Sequence, residues 1–396
     1  MEVLKRNPHL LTPLWAFLTE LPESNATEVL APSVASAQQN AAVFFSRLNI
    51  FLLDRMLEGL LRFLEERVPQ AVALLVRHLY LQPLLELLLR MFALPGAATG
   101  GSSRRARGSS LIVAAAVSLD VSFTVPSAVD VLEWLREQDI HRKLAEQFRP
   151  RQGIHAHQSA AQLVVELLAL PFPASYPFAQ MLAPFADAAW FRCVLACMFE
   201  GLDDDDDDDG QARDAVESRQ LEESAQACGI EAMTAVMRAL RGAGAEGAED
   251  EDAERTEGAE GAEKTEGAEQ TEQEPEYEER PVAELSREGL VGVVAEHFGT
   301  FAELFERGDT ERLGLVRIRL LEWLLEVLVL DGDALLGLVV KSRLVLVWLD
   351  FFFGRFSENS FLQHATVELV RIVLHAEGVR LGAGAGVGVG VGEAGM

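Results

Sequence analysis

The run Phe44-Phe45-Ser46-Arg47-Leu48-Asn49-Ile50-Phe51-Leu52, continued by Leu57-Glu58-Gly59-Leu60-Leu61-Arg62-Phe63-Leu64, decides the fold class. Its large apolar residues return at steps of three and four: Phe44, Phe45, Leu48, Phe51 and Leu52, then Leu57, Leu60, Leu61 and Leu64. That spacing lines one face of a helix, whereas a half-buried strand alternates every second residue. Upstream, Leu10, Leu11, Leu14, Trp15 and Leu18 repeat the pattern. Pro69 and Pro83 each stand just before a new apolar run, where the missing N–H of proline costs a helix nothing. The chain to about Leu94 therefore reads as a string of short antiparallel helices, the pattern of a bundle or a solenoid.

The same period recurs downstream. A second helical block spans about Ser127 to Gly201, with Asp130 placed to favour the dipole of a helix carrying Val131, Leu132, Trp134 and Leu135. A third runs from Val282 to about Glu377. The expected organisation is a helical part at 1–201, an acidic low-complexity linker at 202–281, a second helical part at 282–377 and a Gly/Val-rich tail at 378–396. Within the first part, 96–110 reads as a disordered Gly/Ser/Arg loop, its Arg104-Arg105-Ala106-Arg107 cluster either solvated or an import signal. Leu111 to Phe123 is ambiguous between helix and strand. The linker opens with seven aspartates, Asp203 to Asp209, which repel one another and stay extended. Glu217 to Arg241 could form an isolated helix. Gly242 to Arg280, with its imperfect repeats, has too few large apolar side chains to offset the entropy of ordering. The tail from Leu381 is expected to be disordered, a ragged chain end.

Charge follows this division. Between Asp203 and Arg280 there are 28 acidic and 7 basic residues, a net of −21 out of the chain's −28, so the rest carries only −7. No basic face suits a phosphate backbone, which argues against nucleic-acid binding. Apolar residues make up 49%, enough for a sizeable core. The odd cysteine count (Cys193, Cys197 and Cys228) offers no disulfide framework and fits a reducing compartment. The opening residues are not expected to act as a signal peptide, so the sequon Asn25-Ala26-Thr27 is expected to carry no meaning. The most apolar stretch, Leu320 to Leu349, is broken by Glu322, Glu326, Asp331, Asp333, Lys341 and Arg343, so no membrane span is expected.

No phosphate-binding loop, nucleophile elbow or zinc-protease helix occurs, and the chain is expected to be no enzyme and to need no cofactor. His155 and His157 near His141 invite a metal, but lack carboxylate or cysteine neighbours at ligand spacing and read as exposed or capping residues. Cys193 and Cys197 share a helix face, and read as buried apolar residues ahead of half a zinc site. The aspartate run lacks the glycine turn and ligand spacing of a calcium loop and reads as a spacer. Trp348 with Phe351, Phe352 and Phe353 reads as core, with part of the cluster open to a partner.

Several segments, in order, resemble the SAPS-domain family, the regulatory subunits of protein phosphatase 6-type serine/threonine phosphatases. They are Asn7-Pro8-His9-Leu10-Leu11-Thr12-Pro13-Leu14-Trp15-Ala16-Phe17-Leu18, Phe44-Phe45-Ser46-Arg47-Leu48-Asn49, and Leu85-Glu86-Leu87-Leu88-Leu89-Arg90 after His78-Leu79. Further on, Val131 to Ile140 is similar to the family's Trp-Leu-x-x-Gln helix, and His157-Gln158-Ser159-Ala160-Ala161-Gln162 to its His-x-Asn-Ala-Ser-Gln segment. Thr310-Glu311-Arg312-Leu313, Phe351-Phe352 and Asn359-Ser360-Phe361-Leu362-Gln363 resemble its later motifs, with Gln363 where the family has histidine. Family segments without a counterpart at both ends, and the acidic insertion, lead the resemblance to imply a truncated or divergent member.

The resemblance implies an all-α, armadillo/HEAT-like helical solenoid interrupted by the acidic insertion. It implies a scaffold that binds a Ser/Thr protein phosphatase catalytic subunit and modulates its targeting or substrate choice, in the cytoplasm and sometimes the nucleus. The alternative is a solenoid adaptor in trafficking or nuclear transport, unrelated to phosphatases. The partner-binding candidates are Trp134, Arg312, Asn359, Phe361 and Leu362, each weighed against a packing role. Asn359 reads as an N-cap positioning Phe361 and Leu362 in the core, and Trp134 reads as buried.

Overall fold

A computed structural model describes residues 7–21, 32–98, 134–170, 182–200, 212–256, 282–306, 313–330, 332–341 and 344–384. Among the described residues the structure is all helical, with no strand. The chain divides into two compact units, Met1–Ser286 and Arg287–Met396.

In the first unit a short 3-10 turn, Pro8–Leu11, leads into α1 (Thr12–Glu20), where Pro13 sits in the first turn. Trp15 and Leu18 are the buried face of α1, and the Trp15 ring meets Phe45 edge-on at 5.2 Å. Phe45 belongs to α2 (Pro32–Arg67), a helix bent at Met56, where φ −152° and ψ 45° leave the helical region. Ala42, Phe45, Asn49, Leu52, Leu53, Met56, Leu57, Leu60 and Leu64 form its buried face. α3 (Ala71–Arg77) follows Pro69, and α4 (Gln82–Ala98) returns along α2. A buried ion pair, Arg90 to Asp54 at 2.9 Å, ties α4 to α2. Breaking such a pair from one side costs about 3–5 kcal/mol, because the charge left behind stays buried.

The rest of the unit is built on α5 (Ile140–Ala145), α6 (Ile154–Leu168), α7 (Ala188–Met198) and α8 (Ala212–Thr256). Gly153, at φ 87°, makes the turn into α6. The Asp187 side chain caps α7 by accepting from the Ala189 N–H at 2.8 Å. The Trp190 indole N–H donates to the His141 carbonyl at 3.0 Å and so fixes α7 on α5.

The broadest helix–helix contact in this unit joins α6 to α8. Both helices carry buried small residues, Ala156, Ala160 and Ala161 on α6 and Ala225, Ala227 and Ala232 on α8, which suit a close approach of backbones. Ile230, Met233, Val236 and Met237 are buried along the same stretch of α8. This corrects the linker expected at 202–281 and its isolated helix at Glu217–Arg241. The helix is a core element of the first unit, because alanine, valine and methionine at helical spacing supply a narrow apolar face that a mean over the acidic segment conceals. Gly229 permits the approach to α7: a Cβ there would stand 3.0 Å from the Met198 sulfur. α8 also continues to Thr256, into the segment expected to stay unordered; alanine and glutamate are strong helix formers. Two expected boundaries shift: of the loop expected at 96–110, residues 96–98 end α4, and of the tail expected at 378–396, residues 378–384 belong to the last helix, Ser360–Gly384. The aspartate run, 99–110, the ambiguous segment Leu111 to Phe123, 257–280 and 385–396 lie outside the described residues.

The second unit contains α9 (Val282–Glu306, with described side chains from 289 on), α10 (Leu315–Leu330), α11 (Gly332–Lys341), α12 (Leu344–Asp350), a π-helical turn (Phe351–Arg355) and α13 (Ser360–Gly384). α13 packs on α10 and α11. Phe301 meets Trp323 at 4.5 Å and Phe305 meets Phe351 at 5.3 Å. Arg317, buried, donates from Nε to the Phe305 carbonyl at 2.9 Å and lies 5.0 Å over the Phe351 ring. It thereby satisfies a carbonyl at the end of α9 and stacks a cation on an aromatic face.

Candidate partner-binding surface

Each candidate residue takes its role from the element that carries it. Asn359 immediately precedes α13, and its side-chain oxygen accepts from the Leu362 backbone N–H at 3.0 Å. That is an N-cap reaching the third residue of the helix, one of the four N–H groups a helix start leaves without a partner. The cap fixes the first turn, and the first turn splits its apolar pair. Leu362 is fully buried, but Phe361 stays 41% exposed. The expectation that both belong to the core thus holds for one. Consecutive helix positions differ by 100°, so burying Leu362 swings Phe361 away from the interior.

The aromatic cluster of the π-helical turn divides in the same way. Phe351 is buried, and Phe353 is 75% exposed, its ring stacked edge-on against Phe352 at 4.7 Å. Trp348, one turn earlier, is fully buried and donates its indole N–H to the Thr366 hydroxyl at 2.9 Å. Thr366 in turn donates to the Leu362 carbonyl at 2.7 Å. The first turns of α13 are thus held from inside by Trp348 and Leu362 and present Phe361 outward. Trp134 is buried and serves packing in the first unit. Arg312 lies outside the described residues.

The histidines read as exposed or capping divide three ways. His155 is exposed. His141 is half-buried and pairs with Asp139 at 2.9 Å; burial pulls its pKa down, against the pull of that carboxylate. His157 is fully buried, so of its two readings, exposed or capping, the exposed one does not hold. Its Nε2 lies 2.9 Å from the Arg149 carbonyl and its Nδ1 3.1 Å from the Ser224 hydroxyl, so it joins the turn before α6 to α8. The geometry assigns a proton to Nε2, which donates to the carbonyl, while Ser224 donates to Nδ1. Burial pushes its pKa below the ordinary histidine range.

Of the two cysteines sharing a face of α7, Cys197 is buried and Cys193 half-buried. Burial, with the Cys197 thiol alongside, pushes the Cys193 thiol up to about 11. A thiol so raised is a poor nucleophile at neutral pH. Among the described residues no group of three or more His, Cys, Asp or Glu side chains is placed to hold a metal, and no helix is long and apolar enough to cross a membrane.

One surface escaped the sequence reading. Phe44, Leu48 and Phe51 of α2 share the helical spacing of Phe45 and Leu52 but not their burial: they are 74%, 45% and 49% exposed. The signal was present in excess: apolar residues on two adjoining stripes are more than one buried face of a helix requires. Comparison with family models, with curated proteins and with solved structures finds no match for this chain.

Proposed function

We propose that this chain is a non-catalytic helical scaffold, its helices stacked in armadillo/HEAT-like fashion, that holds a serine/threonine phosphatase catalytic subunit and directs its choice of substrates. Phosphoester hydrolysis belongs to the partner in this reading, and the chain acts where the partner does, in the cytoplasm or nucleus. The resemblance of the ordered segments to the SAPS-domain family supplies the identity of the partner. The observation that carries the binding role is the pair Phe353 and Phe361, both exposed on turns fixed from within by Phe351, Trp348 and Leu362. Rigid exposed aromatics are the anchors on which protein interfaces concentrate their affinity.

The test is affinity purification of the full chain from its native cell, followed by identification of what is retained. A phosphatase catalytic subunit is expected, and F353S/F361S should reduce its recovery at least tenfold while leaving the helical circular dichroism unchanged. Recovery of transport receptors or coat components, with no phosphatase, would replace this reading by that of a trafficking adaptor.

A further inference from the structure

α2 uses one face for the core and still carries a second apolar stripe. Phe44, Leu48 and Phe51 stand at positions i, i+4 and i+7, all before the bend at Met56. This is the spacing by which one helix accepts another along its length. Their neighbours in the core are already supplied: Phe45 packs on Trp15 and Phe17, and Leu52 is fully buried. Among the described residues of the first unit the stripe is therefore left largely uncovered.

Its charges say what would cover it. Arg47 and Arg55 stand one turn before and one turn after Phe51 and are exposed, so both guanidinium groups border the stripe. Neither has a carboxylate partner among the described residues. The only acidic residue between Phe44 and Arg55 is Asp54, and it is turned inward to Arg90 at 2.9 Å. On a chain of net charge −28 this is a local positive strip around an aromatic centre. A second copy docking by two-fold symmetry would bring arginine against arginine, which like-charge repulsion disfavours.

We infer that the 44–55 face of α2 is a docking site for an acidic amphipathic helix of a partner protein, its apolar residues at i, i+4 and i+7 lying on Phe44, Leu48 and Phe51 and its carboxylates on Arg47 and Arg55. Charged pairs of this kind choose the partner and speed encounter, and the aromatic contacts hold it. This surface is argued from the exposed side chains of α2 and makes no use of Phe353 and Phe361, on which the proposed phosphatase contact rests.

The test uses the full chain and a displayed library of short helical peptides. Leucine or phenylalanine is fixed at i, i+4 and i+7, and the remaining positions are drawn from Asp, Glu, Lys, Arg, Gln and Ala. Selected peptides are expected to carry Asp or Glu beside the apolar positions. By fluorescence anisotropy their binding should weaken at least tenfold in F44S/L48S/F51S and in R47E/R55E, and should weaken as salt is raised. All five side chains are exposed, so both variants should keep the helical circular dichroism of the parent; if the triple serine variant does not, R47E/R55E decides alone. The inference is overturned if no peptide is enriched, if the enriched peptides are basic, or if they bind R47E/R55E as well as the parent. It is equally overturned if the parent dimerises in sedimentation and F44S/L48S/F51S does not, for the occupant is then a second copy.

Discussion

Neutral imidazole suits both partners of His157: Nε2–H faces a carbonyl, and Nδ1 faces a hydroxyl that can donate. A second proton would turn Nδ1 into a donor and place a charge where the side chain is fully buried. Burial accordingly lowers the folded-state pKa, with the Arg149 carbonyl opposing the shift. The unfolded chain then binds the proton more readily than the folded one, so stability rises with pH. The contribution is complete above the ordinary histidine value of about 6.5 and is lost as pH falls below it towards the lowered folded-state value. His141 is lowered by burial as well and adds a dependence of the same sign. Urea unfolding followed at pH 7.5 and pH 5.5 should show lower stability at the acid end. His157→Gln, which has no proton to gain, should show a distinctly smaller difference. An equal pH difference in the variant would place the titrating group elsewhere.

At the scale of elements, the start of α13 shows both what the sequence disclosed and where it stopped. An asparagine before an apolar run announces a cap, and the cap is there. Replacing Asn359 with alanine leaves the Leu362 N–H without its acceptor. It should cost about 1 kcal/mol in the stability of the second unit, while Asn359→Ser should recover most of it. Chemical denaturation monitored at Trp323 and Trp348, both buried there, reads the difference. Period and capping are local properties, which is why the helices around Leu60 and Leu362 were legible. Facing is not local. Whether Phe361 or Phe44 turns inward depends on which neighbouring helix arrives, and an apolar residue beside an apolar stripe looks the same in either case. α8 was misread for a related reason. Its buried face is made of Ala225, Ala227, Ala232 and Met233, modest residues between an aspartate run and glutamate-rich repeats, and the acidity of the surroundings dominated the reading.

For the whole molecule the acidic insertion ceases to be one object. Deleting 203–280 looks, from composition, like the removal of a spacer. It would in fact strip from the first unit the helix with the broadest contact to α6, opening part of the buried face of α6 and leaving His157 without Ser224. Losing the partners of a core face costs several large-to-small substitutions at once, each about 2–5 kcal/mol, against a typical total stability of only about 5–15 kcal/mol. The deletion should therefore unfold the first unit: helical circular dichroism should fall by more than the missing residues account for, and the protein should become protease-sensitive. Removing 257–280 alone spares α8 as far as Thr256, and the melting temperature should stay within a few degrees of the parent. Only the shorter deletion can separate the role of the acidic repeats from the integrity of the scaffold. Any loss of partner binding after the longer one would report an unfolded unit, not a lost negative charge. Should the longer deletion melt like the parent, α6 must bury its apolar face on something other than α8, and the first unit's core would have to be redrawn around that element.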